Sequence, residues 1–203
     1  MGRAARGTEA IGVALGSAGL LVTASAARRG LAAGEEDAFR AANDLPDGIY
    51  PVIWAPMQYG TFGTTPAIAA LAALRGRRRL GLSLLAAGTI AWVGAKGIKA
   101  LVRRERPAGV VGEVRIRGGE SGAHGFPSGH AAVSAALTTV AMPALPSEVR
   151  AGAIGLAGVV SFARVYIGAH LPLDVIGGAS LGVAVGSVVR LALGRAARRE
   201  RTR

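Results

Sequence analysis

The side chains whose types and spacing together could do chemistry fall into three short blocks. In order they are Lys99 to Pro107 with Arg106, Pro127-Ser128-Gly129-His130, and Arg164 to Asp174 with His170. Two of the chain's three histidines lie inside these blocks. An imidazole can act as a nucleophile or a general acid, and a nearby carboxylate can hold it in one tautomer. The blocks therefore predict a site for nucleophilic and acid–base chemistry.

Lys99, Arg106 and Arg164 add three cations to these histidines. A phosphoryl group in transfer carries negative charge on its oxygens, so its site needs several fixed cations and donors aimed at one point. An arginine can donate two hydrogen bonds to a phosphate, whereas a lysine acts as a point charge. Phosphoryl transfer is therefore the chemistry that this grouping favours.

The second and third blocks each predict a helix start. A proline at position 127 would begin a helix and leave the amides of Ser128 and Gly129 facing an anion, with the Ser128 hydroxyl as a further donor. If another helix starts at Pro172, Asp174 lies in its first turn, close behind His170. Asp174 could then hold one imidazole N–H while the other nitrogen attacks phosphorus.

The three blocks, in this order, resemble the type 2 phosphatidic-acid phosphatase family, whose soluble relatives include bacterial acid phosphatases and vanadium haloperoxidases. The resemblance covers residues 99 to 174 as motifs and 49 to 193 as a pattern of spans. It implies that His170 is the nucleophile that forms a phosphohistidine and that His130 is the general acid. The phosphate-binding residues that it implies are Lys99, Arg106, Ser128, Gly129 and Arg164.

The chain departs from the family pattern at one position, and several other residues are set aside. Ala163 stands where the family usually has a serine, which removes one hydroxyl near the phosphate. His124 matches no family position. Four loop arginines show no comparable spacing and are predicted to be headgroup contacts or solvated charges: Arg103, Arg104, Arg115 and Arg117.

The sequence predicts neither a metal nor another cofactor. Two histidines and one carboxylate are the fewest ligands for a metal site, but three cations beside them would repel a divalent ion. The absence of cysteine excludes disulfides, thiolate catalysis and cysteine-based zinc sites. The net charge of +12 lies in short clusters between apolar segments, so nucleic acid is not an expected partner.

The composition is typical of packed membrane helices. Of the 203 residues 51% are hydrophobic but only 4% aromatic, and the mean hydropathy is +0.40. We predict an all-α, polytopic membrane helix bundle with about six transmembrane helices. The apolar runs are residues 9 to 27, 49 to 74, 80 to 98, 128 to 146, 151 to 168 and 172 to 193.

The amino-terminal part allows two interpretations. The run 9 to 27 could be a cleaved signal peptide or a first transmembrane helix, and the six spans implied by the resemblance favour the helix. Residues 35 to 48 predict an amphipathic helix at the membrane interface, since Ala38, Phe39, Ala42 and Leu45 recur at helical spacing. We therefore divide the chain into 1–48, a helix-bundle domain 49–193 and a basic cytoplasmic tail 194–203.

Positive charge gives an orientation. With the amino terminus in the cytoplasm, thirteen of the 24 Lys and Arg residues fall on the cytoplasmic side, which leaves eleven, three of which belong to the blocks above. The loop 103 to 126 and the three blocks then face outward across the plasma membrane. Gly178, Gly182 and Gly186, at intervals of four, predict a close helix contact within one chain or between chains, so the oligomeric state stays open.

The expected function is a metal-independent phosphatase that hydrolyses a phosphomonoester or diphosphate of a lipid, with the bilayer as its setting. Polyprenyl phosphates and diphosphates, phosphatidic acid, phosphatidylglycerol phosphate and a polyprenyl-linked sugar phosphate all fit. Three alternatives remain: phosphoryl transfer to a sugar or lipid acceptor, a vanadium haloperoxidase, and a catalytically silent membrane scaffold of the same fold.

Overall fold

The computed structural model describes residues 3–119 and 122–199, and these residues form an all-α fold, as the sequence predicts. Within those two ranges the only β-type pairing is a single bridge between Glu105 and His124. The helices are α1 Arg3–Ala27, α2 Glu35–Asn43, α3 Tyr50–Met57, α4 Thr64–Leu74, α5 Arg78–Val102, α6 Pro107–Val110, α7 Gly129–Ala141, α8 Ser147–Tyr166 and α9 Pro172–Arg199.

Four helices of the described chain are long and apolar enough to cross a membrane. They are Gly7–Ala27, Arg78–Val102, Ser147–Tyr166 and Pro172–Leu193. The predicted count of six is therefore not confirmed, because the runs 49 to 74 and 128 to 146 do not form continuous helices. The first divides into α3 and α4, and the second gives only the 13 residues of α7.

The break between α3 and α4 follows from local sequence and packing. Pro56 cannot donate a helical hydrogen bond, and α3 ends one residue later in a short 3-10 turn over Gln58–Gly60. A β-carbon at Gly60 would lie 2.7 Å from the main-chain oxygen of His130. The chain thus bends where its backbone touches the start of α7.

Helix α7 packs closely on α9 through the predicted glycines. A β-carbon at Gly178 would overlap the main-chain oxygen of Ser128, and one at Gly182 would overlap that of Ala132. At Gly186 it would lie 2.7 Å from Thr139 Cβ. The predicted close contact is thus made within this chain.

Helix α2 confirms the predicted amphipathic helix over 35–43, but it ends before residue 48. Phe39 is fully buried, and it packs with Ala42 in a cluster that includes Val165 and Leu171. The apolar face of α2 is covered by the protein, and its position at a membrane interface stays a prediction.

The bundle has two ends that the chain visits alternately. At one end, which we call the site end, Gly30 after α1 accepts a hydrogen bond from Arg104 after α5, and Ser128 before α7 contacts Asp174 in α9. At the other end Arg77 donates to the main-chain oxygen of Ala144. The backbone of α9 continues through 194–199 of the predicted tail, while residues 200–203 lie outside the described residues. The division into domains stays a prediction.

Candidate active site

The third block forms the turn between α8 and α9. The amides of Ala169 and His170 both donate to the main-chain oxygen of Arg164, at 3.2 and 3.1 Å. Gly168 makes this reversal possible with a φ of +79°. The turn folds His170 back over the last turn of α8, so that His170 and Arg164 lie at one place.

Asp174 lies in the first turn of α9, as the sequence predicts. Its Oδ2 accepts the amide of Leu171 at 3.0 Å and lies 3.5 Å from His170 Nδ1. That separation is longer than an ordinary N–H···O hydrogen bond. Catalytic hydrogen bonds are often long before the substrate binds, and a small movement would place the Nδ1 proton on the carboxylate.

Ser128 is the N-cap of α7 and joins the second block to the third. Its Oγ accepts from the amide of Ala131 at 3.5 Å, and its own amide donates to the main-chain oxygen of Asp174 at 2.8 Å. The prediction that the Ser128 amide faces an anion is therefore wrong, because that donor holds α7 against α9. The Ser128 hydroxyl and the Gly129 amide remain predicted phosphate donors.

Lys99 and Arg106 reach the site from α5 and the segment after it. Lys99 Nζ donates to the main-chain oxygens of His124 and Gly125, at 2.9 and 2.6 Å. Arg106 donates from Nε to Gly122 at 2.7 Å and from a terminal nitrogen to Ala169 at 2.6 Å. The second of these contacts holds its guanidinium one residue from His170.

The remaining cation and the second imidazole complete the cluster. Arg164 is buried at the end of α8, where a terminal nitrogen lies 3.8 Å from Met57 Sδ. His130, in the first turn of α7, interacts electrostatically with His170, Arg164 and Lys99. The two imidazoles thus lie at the same end of the bundle, as the sequence predicts.

Burial lowers the pKa of His170 to about 3, well below its ordinary value. The Asp174 carboxylate favours the protonated ring and opposes this effect, while Lys99 and Arg164 add to it. His170 is therefore neutral at physiological pH and keeps a lone pair, which is the form that a nucleophile requires.

Sequence comparison assigns the family. The pattern of the PAP2 superfamily matches residues 78–198, which is more than half of the chain. The chain belongs to the PAP2 superfamily. A curated relative, the undecaprenyl-diphosphatase of Sulfolobus acidocaldarius, is 31% identical over 117 residues. The match covers 58% of this chain and 57% of that relative, so the chain spans a little over half of the relative's length.

Two solved membrane structures share the PAP2 fold. LpxE of Aquifex aeolicus superposes with a TM-score of 0.69 at 22% identity, over 75% of this chain and 92% of that one. A transmembrane PAP2-type phosphatidylglycerolphosphate phosphatase from Bacillus subtilis gives 0.69 at 22% identity, over 87% and 92%. At this identity the likeness establishes the fold, a multi-pass membrane helix bundle.

Two charged residues that the PAP2 motifs do not mark also lie against the site. Arg104, predicted to be a headgroup contact or a solvated charge, is buried and donates to Asp174 Oδ1 at 3.0 Å. Its guanidinium also holds both carboxylate oxygens of Glu35, at 3.0 and 2.6 Å. The prediction for Arg104 is wrong because two buried carboxylates replace the water that it would otherwise need.

A signal for Arg104 exists in the sequence. Residues 103–106 leave α5 in a non-helical segment, and exposure there alternates, with Arg103 and Glu105 outside and Arg104 and Arg106 inside. Side chains two residues apart lie on the same side of an extended backbone, so Arg104 shares the side of Arg106. Glu35 gives no comparable signal, because its partner lies 69 residues away.

Arg117 is also buried, contrary to prediction, but its hydrogen bonds stabilise the loop. Its guanidinium donates to the main-chain oxygens of Asn43, Leu45 and Tyr166 and to the carboxylate of Asp47. Arg103 and Arg115 are exposed, as predicted.

Ala163 lies in an apolar environment. It is fully buried with Ile53, Met57 and Tyr166. A serine here would need a hydrogen-bond partner among these side chains or on its own helix. The effect of the missing hydroxyl on the phosphate stays a prediction.

Proposed function

We propose that this PAP2-superfamily chain is a membrane phosphatase that hydrolyses a lipid phosphomonoester or diphosphate through a phosphohistidine. The observation behind the proposal is that three buried or half-buried cations, Lys99, Arg106 and Arg164, meet two imidazoles at one end of a membrane bundle. Like charges at one place repel each other unless an anion lies between them. A phosphoryl group supplies that anion.

In the proposed reaction His170 attacks phosphorus with the ring nitrogen that faces away from Asp174. The P–O bond to the leaving group breaks, and His130 donates a proton to the departing oxygen. Water then attacks the phosphohistidine with His130 as the base, which releases phosphate and restores His170. Lys99, Arg106, Arg164, the Ser128 hydroxyl and the Gly129 amide stabilise the charge on the phosphoryl oxygens, with no metal required.

The hydrocarbon part of the substrate has a place beside the site. Along α8 and α9 run two apolar cavities of about 410 and 490 Å³, which share Ser161, Ala179 and Val183. The first begins at Val175, next to Asp174. An acyl or prenyl chain in this groove would leave its phosphate at the imidazoles, which supports a lipid substrate.

A polyprenyl diphosphate is the first substrate to test, because the curated relative is an undecaprenyl-diphosphatase. Phosphatidylglycerol phosphate and phosphatidic acid are the glycerolipid alternatives. We place the site at the outer face of the plasma membrane, where the count of positive residues puts it.

The test is phosphate release by the purified protein in detergent, with EDTA present throughout. We expect His170→Ala to lower kcat more than about a thousandfold, because the nucleophile is lost. His130→Ala should lower it about a hundredfold or more, because the leaving oxygen is no longer protonated. The parent, but not His170→Ala, should yield an acid-labile phosphohistidine.

His124→Ala is the matched control. His124 is the third histidine, and it offers the site only its main-chain oxygen, so this variant should keep the parent's rate. Equal phosphate release by the parent and both catalytic variants would contradict the proposal. Phosphorylated acceptor in place of inorganic phosphate would identify a transferase, and loss of activity in EDTA that magnesium or zinc restores would contradict the metal-free reaction.

A further inference from the structure

We infer that Glu35 and Arg104 form a positioning pair that holds Asp174 against the His170 imidazole. Arg104 lies within the first block but at a position that the family motif does not mark, and Glu35 lies outside all three blocks and outside the part of the chain that matches the PAP2 superfamily. The inference rests on the proposed function, because it concerns the rate at which His170 reacts.

The contacts form one continuous buried chain from α2 to His170. Glu35 accepts hydrogen bonds from the Arg104 guanidinium with both carboxylate oxygens. One terminal nitrogen of Arg104 also donates to Asp174 Oδ1. The other oxygen of Asp174 faces His170 Nδ1. All four side chains are at most 6% exposed, so water does not compete for these bonds.

Glu35 is fixed from a second direction. Its Oε1 accepts the amide of Leu173 at 3.0 Å, and its Oε2 accepts the amide of Ala32 at 3.1 Å. Leu173 directly precedes Asp174 at the start of α9. Glu35 therefore locks the backbone that carries Asp174 as well as the guanidinium that binds it.

The balance of charge explains why the arrangement needs both residues. Arg104 alone would neutralise Asp174 and weaken its attraction for a positively charged imidazole ring. Glu35 compensates Arg104, so the three side chains together carry one net negative charge. When His170 attacks phosphorus its ring becomes positive, and that remaining charge stabilises it.

The loop that contains Gly125 limits where the Asp174 carboxylate can move. A β-carbon at Gly125 would lie 2.6 Å from Asp174 Oδ2, so the backbone of the loop fills the space beside this oxygen. Asp174 is thus confined by Gly125 on one side and by Arg104 on the other. If Arg104 is displaced, the Asp174 carboxylate can move only away from His170.

The experiment compares Glu35→Gln, Arg104→Gln and Arg104→Lys with the parent in steady-state and single-turnover assays. We expect both Gln variants to lower kcat about tenfold to a hundredfold, the range seen when the supporting partner of a metal-bound imidazole is removed. KM should change less than about twofold, because neither residue touches the substrate. Phosphohistidine should form more slowly in proportion, and Arg104→Lys should recover part of the rate.

Arg117→Gln and Glu36→Gln are matched controls. Arg117 is a buried loop arginine with a carboxylate partner away from His170, and Glu36 is the half-buried neighbour of Glu35. Arg117→Gln should lower the melting temperature while the folded protein keeps the parent's kcat. The inference is overturned if folded Glu35→Gln and Arg104→Gln keep that kcat, or if they change only in melting temperature as Arg117→Gln does.

Vanadate binding separates this inference from the proposed function. Vanadate imitates the phosphoryl transition state, and its affinity for His170 can be measured without turnover. We expect Glu35→Gln to weaken it about tenfold, which corresponds to 1.4 kcal/mol, and Arg117→Gln to leave it unchanged. A parent that binds vanadate with this pattern but hydrolyses no lipid phosphate would contradict the proposed function alone, whereas equal affinity in the parent and Glu35→Gln would contradict the inference alone.

Discussion

At the scale of single residues, type and spacing predict much of the candidate site, and burial decides the rest. Lys99, Arg106 and His170 stand at intervals that a motif can reveal, and the fold brings them together. Arg103 and Arg104 are adjacent and identical in type, yet one is exposed and the other is buried. The two-residue spacing from Arg106 indicates which of them turns inward, but the partner of Arg104 in α2 lies 69 residues away and leaves no local pattern.

The burial of His170 has a consequence for stability that can be measured. An unfolded chain binds a proton at histidine near pH 6.5, but the folded chain binds it at His170 only near pH 3. Between these values the unfolded state binds more protons, so the free energy of unfolding falls as the pH is lowered. From pH 7 to pH 5 we expect His170 to contribute about 2 kcal/mol of this loss.

The measurement is thermal unfolding in detergent at intervals between pH 7 and pH 5, a window above the range in which most carboxylates titrate. His170→Gln should show a shallower fall in melting temperature than the parent. His124→Gln, on the half-buried loop histidine, should follow the parent. Parallel curves for the parent and His170→Gln would show that His170 is not buried as described.

At the scale of elements, hydrophobic runs predict where helices lie but not where they break. The runs that become α1, α5, α8 and α9 contain no proline beyond their first turn, and each forms one long helix. The run 49 to 74 has the same apolar character but bends at Gly60, where α7 touches its backbone. That contact depends on the tertiary fold, so hydropathy cannot show it.

The contact between α7 and α9 gives a prediction at this scale. Gly182→Ala would force a β-carbon into the main chain of α7 at Ala132, and we expect it to cost about 1 to 3 kcal/mol of stability, as overpacked cores do. Gly97→Ala is the control, because Gly97 in α5 has no atom within 4 Å of an added β-carbon. It should leave stability unchanged or raise it by up to about 1 kcal/mol, since alanine favours helix.

Unfolding in detergent, followed by the fluorescence of the two tryptophans, measures both variants. A Gly182→Ala protein as stable as Gly97→Ala would mean that α7 and α9 are farther apart than the structure places them. Because Ser128 and Asp174 lie at the ends of these two helices, Gly182→Ala should also lower the phosphatase rate.

At the scale of the whole molecule, composition alone is enough to assign the membrane class, but it does not fix the number of spans or their direction. The described residues contain four helices of spanning length where six were predicted. The structure also divides the loops between two ends, and the candidate site occupies the end that holds the loop after α5. Which end faces the cytoplasm depends on a modest excess of positive residues, thirteen against eleven of 24.

Because the chain contains no cysteine, single cysteines can report which end is outside. Ala108 is an exposed residue of α6 at the site end, and Ser147 is an exposed residue at the other end, where α8 begins, so each can be replaced by cysteine. In intact cells a membrane-impermeant maleimide should label Ala108→Cys at once and Ser147→Cys only after the membrane is opened. The opposite result would place the phosphate-binding cations in the cytoplasm, where the substrate would have to be a lipid phosphate of the inner leaflet. Labelling of both positions in intact cells would mean that the two loops share one face, which is incompatible with a bundle whose helices run between opposite ends.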